Sequence, residues 1–251
     1  INLTGTTIDK SFSTSYIFYP AGIQAQSASL LLPINNKVII GSINHISYGT
    51  FKGYDENAIQ TDNYTSSDTW IRLGYTEPFK KLPLRFGISN QAYFSKLENH
   101  KSIYLFSSFG LAWEIQKYKL EIGVMINDFL LIHNDNSEDS INKLASFNFG
   151  FCKQLIYLPL KISIDFRTNG YSTFDDCYIS GEFKVSDAFC FNLGTSTRKY
   201  SQNTGQSLSQ TIFGSSGLGI YYKNKDLIIG YGLYLYGTGG SSNGFDLSIN
   251  F

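Results

Sequence analysis

Charged residues are scarce in this chain, at 16% of its 251 residues, whereas soluble globular domains carry about 25%. The 20 basic and 20 acidic residues cancel, and no run of lysine or arginine gives the electrostatic footprint of a nucleic-acid-binding protein. No stretch of about 18 consecutive apolar residues occurs, so the sequence predicts no transmembrane helix. We therefore expect no nucleic-acid partner and no helical membrane anchor.

Groups that carry chemistry are also few. The three cysteines have no Cys-x-x-Cys spacing, and His45, His100 and His133 are scattered without cysteines at metal-ligand spacing. No histidine stands beside a strand serine with an acid on the same face, which a lipid-facing hydrolase would need. We expect no catalytic residues, no metal and no cofactor, and therefore not an enzyme.

Aromatic residues are abundant, with 18 Tyr and 20 Phe, and their arrangement is best seen at the end of the chain. Over Phe245–Phe251 apolar and polar residues alternate strictly. Successive side chains of a β-strand point to opposite faces, so this strand has one apolar and one polar face. An apolar face toward lipid and a polar face toward the lumen is typical of a transmembrane β-barrel.

The same alternation recurs along the chain, without the 3.6-residue period of a helix. It predicts that the following residues face lipid: Leu120, Ile122, Ile162, Ile164, Leu233, Leu235, Leu247 and Ile249. The alternative is a soluble β-sandwich or lipocalin-type barrel, in which the polar faces would be exposed to solvent. Low charge, ordinary hydropathy and many aromatic residues favour the membrane barrel.

The lengths of the connections predict the topology. Thirteen strands are expected near 25–33, 37–48, 66–77, 84–94, 102–115, 118–130, 144–154, 160–167, 176–185, 188–196, 209–222, 226–237 and 244–251. Short turns alternate with longer loops, of which Gly49–Thr65 is the longest. Single-chain bacterial barrels have an even number of strands, and alternating residues at 12–18 supply one more. We therefore predict an all-β, transmembrane antiparallel barrel of about 14 strands with both termini on the short-turn side.

The barrel is expected to be one domain over residues 1–251, in which residues 1–24 form an amino-terminal segment that holds the first strand and a possible lumen plug. The chain begins at Ile1 and shows no basic leader followed by an apolar run. We therefore expect a mature form from which a signal peptide has been removed, located in the bacterial outer membrane.

Several short motifs, in their order along the chain, resemble the PorV/PorQ family of FadL-like barrels, and PorQ more closely. The motifs are Tyr19-Pro20-Ala21-Gly22-Ile23, Ile46–Phe51, Gly53–Asn57, Ser67-Asp68, Leu73-Gly74-Tyr75, Leu84–Ile88, Tyr93–Glu98, Arg198-Lys199-Tyr200 and Gly217–Ile220. The resemblance covers most of the chain. Tyr19 stands where the family usually has Asn, and the chain is shorter than typical members.

The resemblance implies a non-catalytic role in type IX secretion, in which the barrel anchors or receives other proteins of a secretion and attachment complex. The expected contact surface is the long-loop rim. Tyr and Arg often anchor interfaces, and the residues predicted to bind a partner are Phe51, Tyr54, Asn57, Tyr64, Arg198, Lys199 and Tyr200. Tyr48 and Tyr75 are instead expected in the aromatic girdle at the membrane interface.

Two alternatives remain open. The first is a FadL-like passage for hydrophobic small molecules, with a hydrophobic ligand or detergent in the lumen. Residues predicted to line that lumen are Tyr93, Tyr104, Phe106, Phe213 and Tyr221. The second alternative is a structural barrel within a larger surface assembly, embedded in outer-membrane lipid.

Overall fold

The computed structural model describes residues 9–98, 100–135, 145–168, 176–202, 205 and 207–251. They form a closed barrel of fourteen antiparallel strands. The strands are β1 Ser11–Phe18, β2 Gln24–Ile34, β3 Lys37–Phe51, β4 Tyr64–Pro78, β5 Leu84–Leu97, β6 His100–Ile115, β7 Leu120–Asp135, β8 Ser146–Gln154, β9 Leu160–Arg167, β10 Asp176–Lys184, β11 Phe189–Ser196, β12 Ser216–Asn224, β13 Leu227–Leu235 and β14 Ser241–Asn250. The predicted fold class and strand number are confirmed.

Each strand pairs with its sequence neighbours, and β1 closes the barrel on β14. Ser11 faces Asn250 in that pairing, and Phe18 faces Asn243. Ser11 also faces Leu31, close to the β2–β3 turn. The start of β1 and the end of β14 therefore lie on the rim that carries the β2–β3 turn, as the connection lengths predict.

Apolar side chains alternate outward along the strands. On β14, Phe245, Leu247 and Ile249 are exposed on the outer wall, whereas Asp246 and Ser248 line an interior cavity. The outer wall carries exposed Ile, Leu or Phe on every strand from β2 to β7, and exposed large apolar residues on all the other strands except β9. An apolar band on the outside of a closed barrel matches the hydrocarbon region of a bilayer. None of the described helices has the length and apolar character needed to cross a membrane.

The lengths of the connections do not alternate between the two rims as regularly as the sequence predicts. The predicted loop over Ser95–Lys101 is wrong, because β5 continues to Leu97 and β6 starts at His100. Strand pairing persists there beyond the apolar band, since Leu97 still faces His100 in register. The connection from β11 to β12, residues 197–215, is longer than the β3–β4 connection, residues 52–63.

Two further predictions need correction. The strand expected from residue 209 starts only at Ser216, because Leu208–Phe213 forms a short helix, α2, after another short helix, α1, at Arg198–Gln202. Phe213, predicted to line the lumen from a strand, is therefore at the end of a helix, with 66% of its surface exposed. Tyr48 does not join an outer girdle, because it lies on the same inward face of β3 as the buried Val38 and Ile40 and donates a hydrogen bond to the inward-facing Asp68.

Candidate functional site

Glycine occupies many inward positions of the barrel wall and leaves a chamber inside it. The cavity has a volume of about 760 Å³ and is lined by strands from β4 to β13. Its glycines pair across neighbouring strands, as with Gly87 and Gly110, Gly123 and Gly150, or Gly194 and Gly217. We call this cavity the glycine chamber. Its size is typical of small-molecule sites, which occupy about 300–1,000 Å³.

The glycine chamber contains both positively and negatively charged side chains. Arg85, Glu121, Asp165 and Arg167 all line it, together with Tyr178 and other polar residues. The remaining inner wall is mostly glycine, backbone and small polar side chains, with apolar contact from Ala112 and Met125. A few polar groups placed on a largely apolar surface can orient a ligand that has an apolar body and a polar end.

An aromatic cluster fills the inside of the barrel on β4, β5 and β6. The ring centroids of Trp70 and Tyr93 lie 6.1 Å apart, those of Tyr93 and Tyr104 5.9 Å, and those of Tyr104 and Phe106 5.9 Å. Tyr104 and Phe106 are buried. Sequence reasoning missed Trp70, although its alternation with Ile71 and Leu73 could have placed it inside. On these three strands the open cavity is therefore lined by the residues beyond the cluster, such as Thr76, Gly87 and Gly110.

A carboxylate holds the long-loop end of this cluster. Tyr48 Oη donates a hydrogen bond of 2.8 Å to Asp68 Oδ2, and Ser95 Oγ donates one of 2.7 Å to Asp68 Oδ1. Two inward positions further along β4, Arg72 Nε donates a hydrogen bond to Gln91 Oε1 at 3.0 Å. Hydrogen bonds to a charged acceptor are stronger than neutral ones. Asp68 therefore ties β3, β4 and β5 together inside the barrel.

A second cavity of about 850 Å³ opens toward the short-turn rim, between β10 and β2 around the closure strands. We call it the serine chamber, since Ser13, Ser15, Ser27, Ser186 and Ser248 line it. Ser13 Oγ donates to Ser248 Oγ at 2.9 Å, and the Ser15 and Ser27 hydroxyls are 2.6 Å apart. Tyr221, Glu182 and Asp246 line the same cavity.

The mouth of the serine chamber carries an ion pair, with Lys184 Nζ 2.9 Å from Asp187 Oδ1. Asp187 lies in the β10–β11 turn. The hydrogen bond from Lys184, together with its positive charge, lowers the pKa of the Asp187 carboxyl below its ordinary value. The pair therefore stays ionised at neutral pH, and this end of the lumen is polar.

The rim residues predicted to bind a partner fall into two separate groups. Phe51 and Tyr64 stack with centroids 5.4 Å apart at the base of the β3–β4 connection, and Tyr54 beyond them is 59% exposed. The backbone amide of Asn57 donates to Asp55 Oδ1 at 2.9 Å within the same connection. These residues form one compact group.

The second group follows β11. Arg198 and Lys199 lie on α1 with Tyr200, and Arg198 Nε is 3.6 Å from Asp176 Oδ2. Tyr200 is 68% exposed. In the order of strands around the barrel, β5–β10 separate the two groups on one side and β13, β14, β1 and β2 on the other. The structure therefore does not bring the seven residues into one patch.

The motif at Tyr19–Ile23 forms the β1–β2 connection on the long-loop rim, with Ala21 at φ 62° inside a short 3₁₀ turn. Burial, and secondarily the charge of Tyr236, raises the pKa of Tyr19 above its ordinary value. Pro20 packs beside Gly240 of the β13–β14 turn, where an added Cβ would lie 3.5 Å from Pro20 Cγ. The motif thus braces the rim next to the closure strands.

Thiol and imidazole groups are dispersed. Cys152 lines the glycine chamber, Cys190 lines the serine chamber, and all three cysteines are free thiols. His45 Nδ1 lies 2.8 Å from Thr69 Oγ1. Among the residues that the structure describes, no three His, Cys, Asp or Glu side chains come together as metal ligands would.

Comparison with known proteins defines the architecture. No protein-family model matches the chain, and no curated protein matches it. Among solved structures, the deltaS2 mutant of the TodX monoaromatic hydrocarbon channel is similar, with 13% identity, a TM-score of 0.52 and coverage of 96% of this chain and 89% of that one. This similarity shows a shared barrel fold.

Two other solved barrels are more distant. A mutant of the Rh. blastica porin has 6% identity and a TM-score of 0.45, covering 98% of this chain and 99% of that one. CdiB from Acinetobacter baumannii has 9% identity and a TM-score of 0.46, covering 97% of this chain and 60% of that one. Neither is close enough to support an argument about this chain.

Proposed function

We propose that this chain is a non-catalytic barrel of a bacterial outer membrane that binds and passes small amphipathic molecules through its lumen. The apolar outer wall supports the membrane location, because exposed Leu, Ile and Phe on every side are stable only against lipid. The fold shared with a channel whose name specifies monoaromatic hydrocarbons supports passage of apolar compounds. The glycine chamber is the observation that carries the proposal.

The chamber exists because side chains are missing from its wall. A Cβ added at Gly123 would meet nothing closer than 4.0 Å, and one at Gly110 nothing closer than 3.7 Å. Both positions therefore tolerate a side chain sterically and yet have none. In a wall that only needed to be stable, larger residues would fill this volume, because empty space forfeits dispersion contacts. The vacancy is better explained by a guest molecule.

The chemistry of the lining indicates the class of guest. The wall offers apolar contact, and Arg85 and Arg167 supply cations that suit a carboxylate head group. Glu121 and Asp165 balance those charges, so that the chamber does not act as a strong anion trap. A molecule with a hydrocarbon body and a single acidic end matches both features.

The test is the binding of cis-parinaric acid, a fluorescent probe of this class, to the purified barrel in detergent. Gly123→Trp should fill the chamber and abolish saturable binding. The matched control is Gly41→Trp, because Gly41 pairs with the outward Leu73 and a Cβ there meets only a side chain at 3.7 Å. If Gly123→Trp binds the probe as tightly as Gly41→Trp, the lumen is not the binding site.

A second function, anchoring of other proteins in type IX secretion and surface attachment, is supported by the family resemblance and by two exposed tyrosines. Tyr54 and Tyr200 protrude on opposite parts of the long-loop rim, at 59% and 68% exposure. Two separate aromatic anchors suit two contacts with one large partner or with two partners.

Co-purification in mild detergent tests this second function. The variant Tyr54→Ala/Tyr200→Ala should lose its protein partners and keep its affinity for cis-parinaric acid. Tyr157→Ala, which changes an exposed tyrosine on the short-turn rim, serves as the control. Partners retained by the rim variant would exclude these two tyrosines as anchors.

A further inference from the structure

The glycine chamber and the serine chamber meet on the wall formed by β10–β13. On β10, Ser180 lines the glycine chamber and Glu182, the next inward residue, lines the serine chamber. On β11, Gly194 and Asn192 are divided in the same way. Consecutive inward positions of one strand thus belong to different chambers, so the chambers share a boundary at this height.

Tyr221 lies next to that boundary, on the side of the serine chamber, and its ring reaches back to Gly219. It is an inward residue of β12 that faces Cys190 of β11 and Gly230 of β13. A Cβ built on Gly230 would lie 2.6 Å from Tyr221 Cε1 and 2.8 Å from Cδ1, and one on Gly219 would lie 3.4 Å from Cε2. The ring therefore lies flat on the wall, in the space that a side chain at position 230 would occupy.

We infer that Tyr221 sets the size of the solutes that pass between the two chambers, and that Gly230 is the recess that keeps its ring against the wall. The inference deepens the proposed function and rests on it, because it assumes that solutes travel along the lumen. A bulky ring at a boundary between two cavities controls the width of the connection. Its present position against Gly230 keeps the ring out of the middle of the lumen, and a displacement from the wall would narrow the connection.

The recess depends on the absence of one carbon atom. Ordinary carbon–carbon contacts lie at about 3.5–4.0 Å, so a methyl group at position 230 would push the ring into the lumen by about 1 Å or turn it to another rotamer. Gly232, the next inward residue of β13, offers a matched comparison. A Cβ there would meet only Leu218 O, at 3.9 Å, and would leave the ring where it is.

The experiment measures sugar permeation by liposome swelling, with arabinose, glucose and sucrose as a graded series, together with single-channel conductance. Four variants are compared with the wild type: Gly230→Ala, Gly232→Ala, Tyr221→Ala and Tyr221→Ala/Gly230→Ala. We expect Gly230→Ala to lower sucrose permeation and conductance severalfold, and Tyr221→Ala to raise both severalfold. Gly232→Ala should equal the wild type. The double variant should match Tyr221→Ala, because without the ring the added methyl group meets only Asp246 Cβ, at 3.2 Å, and that contact is relieved by a shift of a few tenths of an ångström.

The double variant distinguishes a restriction caused by the displaced ring from one caused by a distorted strand. If it remained as restricted as Gly230→Ala, the restriction would come from a distorted strand, and the inference would be overturned. Equal permeation by Gly230→Ala and Gly232→Ala would overturn it too. A set in which no protein passes any sugar would reject Tyr221 as a size filter, while probe binding in the glycine chamber would still decide the proposed function separately.

Discussion

Arginine should cost more folding free energy at position 193, on the lipid face of the barrel, than at a neighbouring position on the lumenal face. Leu193 lies within β11, faces outward with 58% of its surface exposed, and pairs with Leu218 of β12 and Gly181 of β10. A charge introduced at the lipid face of a barrel near the middle of the bilayer costs about 2–4 kcal/mol. Leu193→Arg should therefore reduce the folding equilibrium constant in lipid vesicles about 30- to 700-fold.

Reversible unfolding in urea, followed by the fluorescence of Trp70 and Trp113 in lipid vesicles, gives this free energy. The neighbouring residue supplies the control. Asn192 lines the serine chamber and faces Glu182 across the strand pair, so Asn192→Arg places its charge in a polar lumen beside a carboxylate. It should cost less than about 1 kcal/mol. A penalty for Asn192→Arg that equals or exceeds that for Leu193→Arg would refute the assignment of the two faces.

Two further predictions concern groups inside the wall and on the rim. Asp68→Ala removes the acceptor of the Tyr48 and Ser95 hydroxyls and should lower the free energy of unfolding by about 1–3 kcal/mol. In the same urea titration, Ser13→Ala removes one hydrogen bond between hydroxyls and should lower it by less. Gly240 has φ 92° and ψ −153°, a region used almost only by glycine, so Gly240→Ala should cost about 1–3 kcal/mol. Gly123→Ala, with open space around its Cβ, is the comparison, and equal stability of these two variants would contradict the strain argument.

The strands could be predicted from the sequence because a half-buried strand records its two faces with period 2. The exceptions have physical reasons. Leu208–Phe213 forms fewer than two turns of helix, too short for a 3.6-residue period to differ from alternation. β3 carries apolar residues on both faces, with Val38 and Ile40 buried and Ile39 and Ile43 exposed, so its residue types give no contrast that places Tyr48 inside or outside. Strand ends beyond the apolar band lose the contrast between faces, so β5 and β6 extend further than predicted.

The interior is harder to infer than the wall. Alternation shows that Tyr93 and Tyr104 share a face of their own strands, but the 5.9 Å contact between their rings depends on the β5–β6 register. The two chambers depend on which inward positions of distant strands come to the same height, as with Gly87 of β5 and Gly217 of β12. The separation of Tyr54 from Tyr200 likewise follows from the closure of the barrel.

A cavity produced by leaving side chains out can change in only one direction. At Gly110, Gly123 and Gly217 there is no atom left to delete, so point substitutions at these sites can only make the chamber smaller. The present volume is thus near the ceiling that these positions permit, and substitutions that add methyl groups would reduce it one step at a time. An engineer who wants a set of barrels graded by guest size can follow the same route, beginning with alanine at Gly123 and Gly110, where an added Cβ meets nothing closer than 4.0 Å and 3.7 Å.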